Sequence, residues 1–93
     1  MTRQVFQSPL FVRQKGRLHK NEGKILDNAV RFIQAQPEEG EAKKGDIYGV
    51  YVYKFKMLKR QMPLAYEYDD TRIVLLTLGP HENFYRDLKQ YLK

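Results

Sequence analysis

The sequence predicts an α+β domain in which a short strand and two helices precede a three-stranded meander, and a last helix follows it. Apolar residues recur at helical spacing between positions 21 and 36, which indicates an amphipathic helix. From position 50 to position 78 the pattern changes to alternation, with β-branched and aromatic residues that favour strands. Helical spacing returns after Gly79-Pro80. The first strand is expected to join the same small, mostly antiparallel, twisted sheet.

The N-terminal half predicts one strand and two helices. Val5 to Gln7 form the strand, and the Ser8-Pro9 pair after it is typical of a helix start, with Ser8 as N-cap. Asn21 is the predicted N-cap of the second helix, which ends before Pro37 because proline disfavours a helical residue ahead of it. The apolar residues of this helix lie on one face: Ile25, Leu26, Ala29, Val30, Phe32 and Ile33.

The C-terminal half predicts a loop, three strands and a helix. Residues 37–46 are polar and predict a solvated loop. Alternation then predicts the strands Val50–Lys56, Met62–Tyr68 and Arg72–Leu78, with turns at 59–61 and 69–71. Pro80 is the predicted first residue of the last helix. The apolar stripe of that helix contains Phe84, Leu88, Tyr91 and Leu92.

Aromatic and cationic side chains alternate along the strand that starts at Val50. Tyr51, Tyr53 and Phe55 share one face, and we expect them to line the core beneath the two N-terminal helices. The strand from 72 to 78 is apolar on both faces, so the last helix is expected to cover part of the opposite face.

Composition limits the chemistry that is available. A chain of 93 residues is expected to form one domain, residues 1–93. The absence of cysteine excludes disulfides, thiolate metal sites and a cysteine nucleophile. The two histidines lie in different segments and no glycine-rich phosphate loop is present, so we predict neither a metal nor a cofactor.

The charge of the chain favours a polyanionic partner. Lys and Arg number 17 against 11 Asp and Glu, which leaves a formal charge of +6. Such a charge either serves solubility alone or attracts nucleic acid or an acidic protein segment. No apolar stretch approaches the roughly 20 residues that span a bilayer, and no secretory signal is visible. A cytoplasmic protein without a membrane partner is predicted.

Lys54 and Lys56 form the main candidate site. They continue a strand face that begins with two valines, so an apolar strip becomes cationic, and the two positions lie about 7 Å apart. This spacing suits two phosphates or two sides of one phosphate. The alternative is that the lysines protect an exposed strand edge. Lys59 and Arg60 follow in the predicted hairpin and make this the densest basic segment of the chain.

Two residues of the last helix are further candidates. His81 lies at the helix start, where free backbone N–H groups disfavour an imidazolium, so a near-neutral His81 is able to exchange a proton. Tyr85 lies one turn later and is able to stack on a base or donate a hydrogen bond. The alternatives are an ordinary surface histidine and a tyrosine that caps the rim of the core.

Three segments resemble the RelE/ParE superfamily of bacterial type II toxin–antitoxin toxins. They are YGVYVYKFK at 48–56, LAYEY at 64–68 and LGPHENFYRDL at 78–88, of which the last is the most specific. The resemblance implies a β-α-α-β-β-β-α fold, with two N-terminal helices on one face of the sheet and a C-terminal helix. It also implies neutralisation by a cognate antitoxin protein, typically encoded beside the toxin.

The resemblance implies roles for individual residues. RelE-type toxins bind in the ribosomal A site and cleave mRNA with the 2′-hydroxyl as nucleophile, without a metal. Lys54 resembles the lysine that acts as base, and Lys56 the one that stabilises the phosphorane. His81 falls at the position of a functional arginine, and Tyr85 resembles, less closely, a tyrosine that holds a base.

RelE has an arginine at the start of the strand that follows the hairpin, and this sequence has Pro63 there. Arg60 or Lys59 would have to supply the missing charge from the hairpin. Two main functions therefore stay open: an mRNA endoribonuclease that acts with the ribosome, or a ParE-like inhibitor of DNA gyrase without nuclease chemistry. A detoxified or solely regulatory member is the third. The lysine pair favours the nuclease, with the ribosome and mRNA as partners.

Overall fold

The structure, a computed structural model, describes residues 2–92 except for the side chains of His81 and Glu82. Its helices are α1 (Pro9–Gly16), α2 (Lys20–Ala35) and α3 (His81–Tyr91), and its strands are β1 (Gln4–Gln7), β2 (Glu41–Ala42), β3 (Tyr51–Met57), β4 (Arg60–Tyr68) and β5 (Arg72–Leu78). The strands form one sheet in the order β1-β5-β4-β3-β2. β1 runs parallel to β5, and the other neighbours are antiparallel. The predicted α+β class is confirmed.

Ser8 joins the first helix to the sheet, as the predicted N-cap. Its Oγ accepts a hydrogen bond from the Phe11 N–H at 3.0 Å and donates one to the Leu76 carbonyl oxygen at 2.6 Å. Pro9 occupies the first turn, as predicted. Because Ser8 is buried, both hydrogen bonds are shielded from water, and the start of α1 is fixed against β5.

The predicted N-cap of the second helix is wrong. The helix begins at Lys20 with His19 as its cap, two residues before Asn21. Glu22, three residues after His19, explains the difference: its Oε1 accepts a hydrogen bond from the His19 N–H at 2.8 Å and closes the first turn. The helix does end before Pro37, as expected.

The prediction of a solvated loop at 37–46 is wrong in part. This segment contains β2, which pairs with β3 and gives the sheet a strand more than expected. Pro37 and Gly40 are buried because Tyr66 of β4 reaches them: its hydroxyl donates a hydrogen bond to the Pro37 carbonyl oxygen at 2.6 Å. A methyl group at Gly40 would overlap that hydroxyl, so glycine alone lets the chain pass so closely.

Apolar side chains pack on both faces of the sheet, as the pattern of β5 indicates. On the face covered by the two N-terminal helices, Leu26 and Ile33 of α2 pack with Leu64 and Tyr66 of β4 and with the aromatic residues of β3. On the other face α3 contributes two buried side chains to a second cluster, which contains Ile47, Val50, Val52, Ala65, Leu76, Phe84 and Leu88. Among the helices of residues 2–92, none has the length and apolar character to cross a membrane.

The last helix differs from its prediction at both ends. Pro80 is its N-cap and not its first residue, with an extended backbone (ψ 151°) that the helix start requires. Tyr91 and Leu92 keep 41% and 37% of their surface exposed, so the apolar stripe is buried through Phe84 and Leu88 and not along its whole length.

The β3–β4 hairpin has a shorter turn than predicted. Met57 pairs with Arg60, which leaves a two-residue loop of Leu58 and Lys59. Leu58 takes the positive φ of 57° that the tight turn needs. Farther along β4, a central strand, Pro63 is tolerated because its carbonyl oxygen accepts a hydrogen bond from Gly79. The nitrogen and the carbonyl oxygen of a strand residue point to the same side. The Pro63 nitrogen therefore points past Leu78, the last residue of β5, where no backbone hydrogen bond is required of it.

Two glycines should respond to alanine in opposite directions. Gly40→Ala is expected to lower the free energy of unfolding by about 1–3 kcal/mol, because the new methyl group overlaps Tyr66. Gly23→Ala should raise it by about 1 kcal/mol, since alanine favours the helix and a methyl group at this position in α2 meets no other atom. Urea unfolding of the two variants checks both; equal effects would contradict the proposed contact.

Tyr66→Phe should lower the free energy of unfolding by about 1–3 kcal/mol, because the Pro37 carbonyl loses a buried donor. Burial raises the pKa of Tyr66 above its usual 10.0. At alkaline pH the unfolded chain therefore releases this proton first, so the difference between wild type and variant shrinks as the pH rises above 10. Urea titrations across that range measure it; a difference that grows with pH would contradict the assignment.

Candidate functional site

Lys54 and Lys56 lie exposed on the α3 side of the sheet, as the alternation of β3 predicts. Their neighbours Tyr53 and Phe55 point the other way and pack against the core below α2. Val52, one step back on the lysine side, is buried under α3. The two ammonium groups therefore project from a strand whose other side chains are fixed by packing.

The neighbouring strand adds no cation beside these lysines. Pro63 lies directly opposite Lys54, and Gln61 lies opposite Lys56. Pro63 is buried and Gln61 is exposed. The position at which the RelE resemblance implies an arginine is therefore a buried proline in this chain.

Arg60 is not brought together with the lysine pair. It lies opposite Met57, whose buried side chain packs in the core below α2, so Arg60 lies on the side of the sheet that the N-terminal helices cover. Its Nη2 lies 3.8 Å from the Glu22 carboxylate at the start of α2. Arg60 also lines a cavity of about 470 Å³ with Gln14 and Arg17, among others, and neither Lys54 nor Lys56 lines it.

Tyr85 is half-buried on the α3 side of the sheet. Its ring and the Phe84 ring form a T-shaped pair, with centroids 5.1 Å apart and planes at 83°. The Nζ of Lys43 lies 5.5 Å from the centroid of the Tyr85 ring, within reach of a cation–π contact. The side chain of His81, at the first residue of α3, lies outside the part of the chain that the structure describes.

Lys43 and Glu41 join the site although no sequence pattern predicts them. The Lys43 Nζ lies 2.7 Å from the Glu41 Oε1. This hydrogen bond raises the pKa of Lys43 and, with the charge of Lys43, lowers the pKa of Glu41. Both residues fall in the segment predicted as a loop, and a two-residue strand is too short to show alternation.

β2 places these two residues on the same side as the lysine pair. Glu41 lies opposite Val52, whose side chain is buried under α3. The Lys43 N–H donates a hydrogen bond to the Val50 carbonyl oxygen at 2.9 Å, which continues the pairing by one step. Lys54 and its positive charge are near enough to lower the pKa of Glu41 further. We call this group the lysine face; it contains Glu41, Lys43, Lys54, Lys56 and Tyr85.

The sequence matches a known family. A family model described as ParE-like toxin of type II bacterial toxin-antitoxin system covers residues 5–89. The chain belongs to this family. It is thus a toxin of a type II toxin–antitoxin system, and the RelE/ParE resemblance of its motifs is confirmed. No curated protein matches the chain in sequence.

Solved structures of RelE proteins share the fold. A free E. coli RelE with two arginine-to-alanine substitutions is 13% identical, with a TM-score of 0.77 and full coverage of both chains. A chain of the intact E. coli RelBE toxin–antitoxin complex is 15% identical, with a TM-score of 0.69, over 86% of this chain and 98% of that one. A chain of an archaeal RelE–RelB complex from Pyrococcus horikoshii is 19% identical, with a TM-score of 0.58, over 88% of this chain and 98% of that one. At these identities the similarity concerns the fold.

The lysine pair should be dispensable for folding. Lys54→Gln with Lys56→Gln is expected to change the free energy of unfolding by less than about 0.5 kcal/mol, because both side chains are exposed. Urea unfolding of the double variant and of wild type measures it. A loss of several kcal/mol would show that the lysines support the fold, and unchanged stability is needed for any functional test of them.

Proposed function

We propose that this toxin arrests translation by cutting mRNA on the ribosome, at a phosphate held by Lys54 and Lys56. The observation that carries the proposal is the pair of exposed lysines on β3, at positions that pair with Pro63 and Gln61 of β4. Charged groups on a rigid element stabilise a transition state without being reorganised during the reaction. The anionic group that these two lysines would bind is a phosphodiester.

The chemistry requires one base, one anion-stabilising group and one acid. Lys54 takes the proton of the ribose 2′-hydroxyl, and the 2′-oxygen attacks the adjacent phosphorus. Lys56 balances the negative charge that grows on the non-bridging oxygens. The 5′-oxygen leaves and takes up a proton, for which His81 is the candidate on sequence grounds. The products are a 2′,3′-cyclic phosphate and a 5′-hydroxyl.

Tyr85 is proposed to hold a base next to the reacting phosphate. Its ring lies on the lysine face beside Lys43 and is half-buried, so part of the ring is covered by the protein and its position is fixed. Stacking of a base on an aromatic ring contributes about 1–3 kcal/mol to binding. A stacked base would orient the 2′-hydroxyl for in-line attack.

A cognate antitoxin is the proposed protein partner, in the cytoplasm. Two of the similar structures are complexes of a RelE toxin with its RelB partner. This chain has a formal charge of +6, so an acidic segment of an antitoxin would be attracted to it. Cover of the lysine face by such a segment would block access of mRNA.

A ParE-like gyrase inhibitor is the second candidate. Pro63 opposite Lys54 and the position of Arg60 on the other side of the sheet favour it, because both leave the lysine pair without the extra cation expected of a nuclease. The name of the family, ParE-like, points the same way. In this case the lysine face would serve binding and not catalysis.

Induction of the toxin should produce cuts in translated mRNA. Mapping of mRNA ends on translating ribosomes is expected to show breaks at fixed positions within codons. The Lys54→Gln/Lys56→Gln variant should reduce cutting by about 100-fold or more, as loss of charge stabilisation at a transferring group does. Lys20→Gln/Lys24→Gln on α2 removes the same charge elsewhere and should cut like wild type.

Two results would contradict the nuclease. Intact messages together with relaxed or broken chromosomes would instead support inhibition of gyrase, which plasmid supercoiling assays with purified gyrase would confirm. Cutting that persists in the lysine double variant would place the reaction elsewhere on the chain.

A further inference from the structure

Lys43 differs from the other lysines between residues 2 and 92, because it alone among them is not exposed. Its side chain keeps 17% of its surface accessible, while the neighbouring Lys44 is exposed. Ordering a lysine costs rotamer entropy, and covering it costs hydration of the ammonium group. Specific contacts must therefore hold Lys43 in place.

Glu41 and Tyr85 supply those contacts. The Glu41 carboxylate accepts a hydrogen bond from the Lys43 Nζ at 2.7 Å, and the Tyr85 ring centroid lies 5.5 Å from the same atom. A hydrogen bond with Tyr85 adds to the effect of Glu41 in keeping Lys43 protonated. Lys43 is thus a cation with a fixed position, whereas Lys54 and Lys56 project into solvent.

The Glu41 carboxylate lies between two cations. It contacts Lys43 on one side, and Lys54 is two residues along β3 from Val52, which lies opposite Glu41. Diagonal positions of this kind are about 7–8 Å apart, within reach of long side chains. The Glu41 side chain is 68% exposed, so a competing anion from solvent is able to displace it.

We propose that Lys43 is a third phosphate-binding residue of the lysine face, and that Glu41 occupies the place of an RNA phosphate until RNA displaces it. The proposal rests on the proposed function and deepens it. Lys43, Lys54 and Lys56 then form one row across the edge of the sheet. Lys43 lies opposite Val50, four residues before Lys54 in the register of β3, which corresponds to roughly 13 Å along the strand, whereas Lys54 and Lys56 are about 7 Å apart. Such a row suits phosphates along one nucleic-acid strand, and Glu41, opposite Val52, lies in the wider gap between Lys43 and Lys54. The Tyr85 ring beside Lys43 favours RNA over an acidic peptide, because it offers a surface on which a base stacks.

Lys43→Gln should weaken RNA binding more than its charge alone explains. The probe is a short single-stranded RNA with 2′-O-methyl groups throughout, which the toxin is unable to cleave, and the readout is fluorescence anisotropy over a range of salt. The loss of one phosphate contact is expected to weaken binding about tenfold at low salt and to reduce the salt slope by about 0.7. Lys24→Gln, on α2, is the matched control and should leave the slope unchanged.

Glu41→Gln should have the opposite effect. The amide keeps an oxygen that accepts a hydrogen bond from Lys43 but loses the charge that competes with phosphate, so binding is expected to tighten about threefold. Glu39→Gln, an exposed residue in the turn before β2, changes the net charge equally and should change binding less. Thermal unfolding of every variant confirms that the changes act on the folded protein.

The possible outcomes separate this inference from the proposed function. Loss of RNA binding in Lys54→Gln/Lys56→Gln but not in Lys43→Gln would overturn the inference alone. Wild type that fails to bind RNA at low salt would overturn both. If polyglutamate responds to Glu41→Gln and Lys43→Gln while RNA does not, the row of cations recognises an acidic polypeptide, and the inference is wrong.

Discussion

The hydrogen bond from the Tyr66 hydroxyl to the Pro37 carbonyl is the contact on which the arrangement of the site depends. It is buried and draws the chain after α2 close to β4, where Gly40 leaves just enough room. From that point the chain continues along β3, so β2 forms and Glu41 and Lys43 reach the lysine face. Breaking a buried hydrogen bond costs more free energy than breaking an exposed one, because the buried groups are left without water or another partner. The Tyr66–Pro37 contact therefore fixes the chain at this point.

The arrangement of the site also depends on β4, a central strand that is apolar on both sides. In β4, Leu64 and Tyr66 face the N-terminal helices, while Ala65 faces α3. On the α3 side of β3, Val52 is buried but Lys54 and Lys56 are exposed. These two positions can therefore carry charge without a cost to the core. The cationic surface and the packed core are therefore consequences of one sheet whose side chains alternate between two environments.

Much of the fold could be predicted, because it depends on local signals. Ser8-Pro9 marks the start of α1, and alternation identifies β3, with its lysines on one side and aromatic residues on the other. β2 could not be predicted, since it is held by a residue distant in sequence and is too short to show a pattern. For the same reason no pattern identifies Lys43. Proximity in sequence groups Arg60 with the lysine pair, but the hairpin turns it to the other side of the sheet.

The parallel pairing of β1 with β5 also sets the order in which the chain can be completed. Gln4 lies opposite Arg72, and Ser8 bonds to Leu76, so the N-terminal strand pairs with residues that are synthesised 68 positions after it. Contacts so distant in sequence form late, because a long loop must close first. During translation the growing chain therefore exposes an unfinished sheet edge. A toxin built in this way completes its sheet only after the ribosome has made β5.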